Sequence, residues 1–197
     1  TGSHLIVLDT VPVWAFPAAG AVAAVALIAV AVRAYLARRF IRRNEERINS
    51  IAFEILRNVL IPNGNGGQIH VNYLLLTERG LLVLDLFDVP GAVFGGDQMF
   101  QWTAIGRKLR FTFANPQSIL YDRMAAVKLL AGEIPVEGRL VFTQRGDFPK
   151  GKPKDVLRID QLNNDFPAID RTRSNVAAAF QEIWQHIKAE AKPNTQG

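Results

Sequence analysis

Asp85 stands in the run Gly80-Leu81-Leu82-Val83-Leu84-Asp85-Leu86-Phe87, a lone carboxylate among apolar residues. On a strand Leu81, Val83, Asp85 and Phe87 share one face, and an unpaired charge in such company is costly, so Asp85 demands a partner. Three arrangements would satisfy it: a residual metal site with Asn72, Asp88 and Glu54, a place at the sheet end facing water, or an ion pair with an arginine. Any metal here must take oxygen ligands, because the chain has no cysteine and His4, His70 and His186 are scattered without ligand spacing. Asn72 can offer an amide oxygen but no charge, and Phe87 can donate neither a proton nor a hydrogen bond. The Gly64–Gly67 stretch lacks the Lys-Ser/Thr of a phosphate loop, and there is no Ser-His-Asp or HExxH pattern.

A second group of candidates is basic. Arg107, Lys108 and Arg110 interleave with Phe111 and Phe113, a pattern that can track a phosphate backbone and stack bases, or simply make a half-buried strand with a solvated face. Charge favours the second: residues 44–197 carry a net charge of only +1, whereas sequence-independent nucleic-acid binding depends on clustered Lys and Arg.

The elements that must position these residues follow from pattern and punctuation. Ile48, Ile51, Ala52, Ile55, Leu56, Val59 and Leu60 recur at three- and four-residue steps and predict an amphipathic helix, stopped at Pro62-Asn63-Gly64. A strand over Gln68–Thr77, a turn at Glu78-Arg79-Gly80 and a strand over Leu81–Phe87 form a β-hairpin. Further strands are expected at 91–94, 100–105, 108–113, 138–144 and 156–161. Asn115 caps a helix over Pro116–Leu130, Gly146–Lys154 is a loop, and Arg171–Ala191 is a closing helix with Val176, Phe180, Ile183, Trp184 and Ile187 on one stripe. Beyond Lys192 the tail is polar and expected to be mobile.

In the stretch Gly66 to Asp88 a Gly-rich turn leads into a strand, a Gly turn and an apolar strand. Phe94-Gly95, Trp102, Asn115-Pro116 and Tyr121 follow in order. This sequence of features, from about Ile48 to about Thr143, resembles the nuclease-related domain family, often called NERD. The resemblance implies a restriction-endonuclease-like α/β core, a mixed sheet flanked by helices, that performs metal-dependent phosphodiester hydrolysis. Two carboxylates on adjacent strands would hold Mg²⁺, and a lysine two residues past the second would serve the attacking water. At those positions this chain has Asn72, Asp85 and Phe87, and Ile119 stands where the family has a helix glutamine. One carboxylate is too few, and no spacing marks Lys108 or Lys128 as a relocated ammonium.

The remaining signal lies at the N-terminal end. From Thr10 to Val32 there are 23 residues without a charge, enough at about 1.5 Å per residue to cross a hydrocarbon core of about 30 Å. Arg33, Arg38, Arg39, Arg42 and Arg43 follow, and against Asp9 they give residues 1–43 a net +4 of the chain's +5. Positive charge collects on the cytoplasmic side, so the expectation is a single-pass inner-membrane protein with its N-terminus outside. The expected organisation is an extracytoplasmic 1–10, a span over 11–36, a basic flank over 37–47, a cytoplasmic domain over 48–191 and a polar tail over 192–197. Gly20 and Ala24 leave a smooth helix face on which another helix can pack. The sequence thus describes a membrane-anchored, catalytically inactive nuclease-like domain, a structural or partner-binding subunit of a membrane assembly such as a DNA-transfer or secretion machine. Its partners are lipid and other subunits, and it has no cofactor. Under the alternatives it is a tethered Mg²⁺-dependent nuclease with a rebuilt site, or a noncatalytic nucleic-acid-binding module.

Overall fold

The computed structural model describes residues 15–107, 109–170 and 175–194, with the side chains of 15–23 and 175–179 left aside. The chain divides into two compact units, Thr1–Arg43 and Asn44–Gly197. Helix α1 spans Ala15–Ser50. In the first unit its described side chains are exposed from Ala24 to Arg39. Among the described residues no helix is long and apolar enough to cross a membrane. Residues 10–23 of the uncharged run lie outside the described side chains, and so does Gly20; Ala24 is exposed.

The second unit is mixed α/β. A six-stranded sheet has the order β10-β1-β2-β3-β7-β9 and a four-stranded sheet the order β6-β5-β4-β8. The first contains β1 (Glu54–Pro62), β2 (Gln68–Thr77), β3 (Gly80–Phe87), β7 (Val136–Phe142), β9 (Val156–Arg158) and β10 (Lys192–Pro193). The second contains β4 (Gly91–Phe94), β5 (Gln101–Ile105), β6 (Arg110–Ala114) and β8 (Gly146–Asp147). Strand β1 pairs with β2 and β2 with β3 in antiparallel fashion, whereas β7 joins β3 in parallel and β9 joins β7 in parallel. The remaining helices are α2 (Pro116–Ala131), α3 (Leu162–Asp165) and α4 (Asn175–Glu190).

The expected β2–β3 hairpin is present, with Thr77 opposite Gly80. Gly80 has φ +122°, and a Cβ there would meet the Pro135 carbonyl oxygen at 2.4 Å, so the turn requires glycine. Asn115 caps α2 as expected, accepting from the Gln117 N–H at 2.9 Å, with Pro116 in the first turn. Helix α2 lies close on β7 because Gly138 has no side chain: a Cβ there would strike Met124 Sδ at 2.3 Å. That approach sets the height of α2 over the sheet.

Three expectations are corrected. The helix predicted over Ile48–Leu60 ends at Ser50, and Glu54–Pro62 is strand β1. One apolar spacing runs through both elements: Ile48, Ile51 and Ala52 fill one core cluster with Ile55 packed against it, while Val59 and Ile61, on strand β1, are buried in the other. The loop at Gly146–Lys154 contains β8, parallel to β4. The polar tail is pinned at its start, where Lys192 pairs with Leu60 and Pro193 with Val59. Residues 171–174 and 195–197 and the Val176 side chain lie outside the described residues; Trp184 and Ile187 are buried as the stripe requires.

Candidate functional site

Alternation along β3 turns Leu81, Val83, Asp85 and Phe87 toward α2, and pairing with β2 brings Asn72 beside Asp85. Asp85 is fully buried. Its partner is Arg123, which reaches down from α2: Nη1 donates to Asp85 Oδ2, and the Arg123 side chain is only 12% exposed. Asn72 Nδ2 donates to Asp85 Oδ1 at 3.1 Å. Arg123 Nε also donates to the His70 carbonyl oxygen at 2.6 Å, which fixes the guanidinium between β2 and β3. Burial pushes the Asp85 carboxyl above its ordinary value, and the Arg123 charge and the Arg123 and Asn72 hydrogen bonds act against that push.

The support continues to the sheet edge. His70 Nε2 and Asn58 Oδ1 lie 2.6 Å apart. Asn58 has φ +51°, a left-handed conformation that asparagine tolerates better than most residues. It is held by Asn194, whose backbone N–H donates to the Asn58 carbonyl oxygen at 2.9 Å and whose carbonyl oxygen accepts from Asn58 Nδ2 at 3.1 Å. Burial and the nearby Arg123 charge hold the His70 imidazole below its ordinary value, against the pull of Asp85.

Two residues beyond Asp85, Phe87 stacks on Phe142 with ring centroids 5.2 Å apart, and Phe142 in turn meets Trp102 and Phe148. The place of a lysine is thus part of an aromatic wall. Asp88 and Glu54 do not join Asp85. Asp88 accepts from Thr143 Oγ1 and Arg145 Nη1, each at 2.7 Å. Glu54 comes from β1 rather than from a helix, and sits opposite Leu76, four residues along β2 from Asn72, or about 13 Å at a rise of about 3.3 Å per residue. It accepts from Trp184 Nε1 at 2.8 Å and Lys188 Nζ at 3.0 Å. The Trp184 bond and then Lys188 hold its carboxyl below the ordinary value against the effect of burial.

A divalent cation does not fit this donor set. Arg123 already holds Asp85, and Asn72 turns an N–H toward the carboxylate rather than its oxygen. Among the described residues no group of three or more His, Cys, Asp or Glu is placed to hold a metal. Of the other positions, Ile119 is partly exposed, while Gln117, two residues earlier, is buried and donates to Asp97 Oδ1 at 2.8 Å and to the Lys154 carbonyl oxygen at 2.9 Å. Lys128, Arg107 and Arg110 are exposed, Arg33, Arg38, Arg39, Arg42 and Arg43 line the exposed part of α1, and Lys108 lies outside the described residues.

The nuclease-related domain family model matches residues 32–143, which include Asn72, Asp85, Phe87 and Arg123. The chain belongs to the nuclease-related domain family. The match begins well before Ile48, taking in part of α1 and its arginines, and ends with β7. No curated protein and no solved structure matches the chain. Within this nuclease-related domain, sequence reasoning missed Arg123 and Asn58. Arg123 had a signal: it falls among Leu120, Val127 and Ala131, the buried stripe of α2, and a charge on such a stripe needs an inward partner. Asn58 had none, because its backbone conformation depends on the pairing of β10.

Proposed function

We propose that this chain is a membrane-anchored nuclease-related domain that works by contact rather than hydrolysis, as a structural or partner-binding subunit of a membrane assembly. The observation that carries the reading is the buried Arg123–Asp85 pair: the carboxylate that the family's chemistry would give to a metal ion is held by a protein cation. Asn72 and Phe87 support it, the first by spending its amide N–H on Asp85 and the second by filling the lysine position with a stacked ring. The anchor is supported by α1 itself. Val25, Leu27, Ile28, Val30 and Val32 are about half to two-thirds exposed and point around the whole helix, a surface suited to lipid, and the arginine cluster that follows favours a cytoplasmic domain.

The test is cleavage of labelled DNA and RNA by the purified full chain in mild detergent with Mg²⁺ or Mn²⁺, with Asp85→Ala in parallel. No cleavage beyond that of Asp85→Ala is expected. Metal-dependent cleavage that Asp85→Ala abolishes would overturn the proposal in favour of a rebuilt nuclease site.

A further inference from the structure

We propose that the free edge of β6 is a docking site for an extended, acidic segment of a partner polypeptide, taken up as an added strand of the four-stranded sheet. The inference rests on the reading of this domain as a partner-binding subunit and names where and how a partner is held.

Strand β6 ends the four-stranded sheet, and among the described residues no strand pairs with its outer side. The hydrogen-bond phase shows which groups face outward. Gly106 N–H donates to the Leu109 carbonyl oxygen at 2.8 Å and Asn115 N–H to that of Phe100 at 2.9 Å, so residues 109, 111, 113 and 115 address β5. Arg110, Thr112 and Ala114 alternate with them and turn their backbone N–H groups away from β5. A row of unpaired backbone groups is complementary to another polypeptide backbone and not to a nucleic acid, which offers no matching ladder.

Apolar residues bracket this edge. Phe100, beside its Ala114 end, is 95% exposed, with Met99 next to it at 48%; Ile105 and Leu109, at the Arg110 end, are also exposed. Such residues at both ends of an open strand form an interaction surface rather than a solvated one. Charge then selects the occupant. Arg107 and Arg110 are exposed at the hairpin end and, among the described residues, have no carboxylate within ion-pair distance. A partner strand bearing carboxylates opposite them gains charge-assisted contacts, whereas a second copy would bring another basic edge.

The experiment measures fluorescence anisotropy of a short fluorescein-labelled peptide of alternating valine and glutamate added to the full chain in mild detergent. The same peptide with lysine for glutamate, the glutamate peptide N-methylated at alternate amides, and a labelled single-stranded DNA are run in parallel. Saturable binding of the glutamate peptide is expected, with no binding of the lysine or N-methylated peptides. Arg110→Glu should weaken it by about tenfold or more, the loss of roughly one charge-assisted contact. Thr112→Pro, which removes an outward N–H that the sheet does not use, should abolish it while leaving the circular dichroism spectrum unchanged. Should Thr112→Pro misfold, Arg110→Glu and the N-methylated peptide carry the test. Failure of the glutamate peptide to bind, equal binding of the lysine peptide, tighter binding of DNA, or a dimer in sedimentation that Thr112→Pro dissolves would each overturn the proposal. None of these measurements involves Asp85 or Arg123, so failure here leaves the reading of that pair standing, and Asp85-dependent cleavage would overturn that reading without touching the edge.

Discussion

Replacing Arg123 by methionine removes the charge that compensates a fully buried carboxylate while keeping most of the side-chain volume. Stranding one member of a buried pair costs about 3–5 kcal/mol, because the surviving charge keeps its desolvation penalty and loses its partner. Asp85→Asn should cost less, about 1–3 kcal/mol, since Arg123 retains some solvent contact and its bond to the His70 carbonyl oxygen. The double variant Asp85→Leu with Arg123→Met leaves no buried charge and should return to within about 2 kcal/mol of the native chain. Urea unfolding of the full chain in mild detergent measures all four proteins, with buried Trp102 and Trp184 as fluorescent reporters. The pH dependence sharpens the test. Burial already raises Asp85 above its ordinary 3.8, and without the guanidinium only the Asn72 hydrogen bond and the His70 charge still oppose that effect. The folded state then binds more protons than the unfolded state between the two values, so stability falls as pH rises through that window and the cost of Arg123→Met shrinks from about pH 7 to about pH 5. A cost below about 1 kcal/mol at both pH values would refute the argument, as would a double variant no better than the worse single one.

His70 is held below its ordinary 6.5, so its contribution is fully present above that value and is lost as pH falls through the lower folded value. Stability between about pH 7.5 and pH 5.5 should therefore slope less in His70→Gln, measured by the same unfolding assay. Phe87→Lys restores the ammonium that the family resemblance implies, yet should lower stability by about 2–4 kcal/mol through loss of the stack on Phe142, and should yield no nuclease activity in a cleavage assay. The full chain should remain with membranes after an alkaline wash and a reporter fused after Gly197 should behave as cytoplasmic, while a chain starting at Asn44 should be released; recovery of the full chain in the wash would refute the anchor.

Much of the central sheet was legible because β2 and β3 are short runs of branched residues punctuated by Gly66-Gly67 and Gly80, and the cap of α2 because Asn115-Pro116 has few other uses. Strand β1 was not, since its apolar spacing joined that of the preceding helix and its alternation of buried and partly buried residues begins only at Val59. Need for a partner at Asp85 followed from its neighbours alone, but the choice between metal, water and arginine did not. That choice depends on the height of α2 over the sheet, which Gly138 sets from a distance in sequence. Glu54 illustrates the converse: the right residue type at a plausible spacing, removed from the site by its register opposite Leu76.

Titration of Mn²⁺ into the full chain, followed by electron paramagnetic resonance of the free ion, tests most directly whether a protein cation has replaced the metal. The native chain should bind no stoichiometric Mn²⁺, and Arg123→Gln with Asn72→Asp, which vacates the cation position and adds a second carboxylate, should bind an ion that is lost again on Asp85→Ala. One tightly held Mn²⁺ in the native chain, lost on Asp85→Ala, would contradict the account.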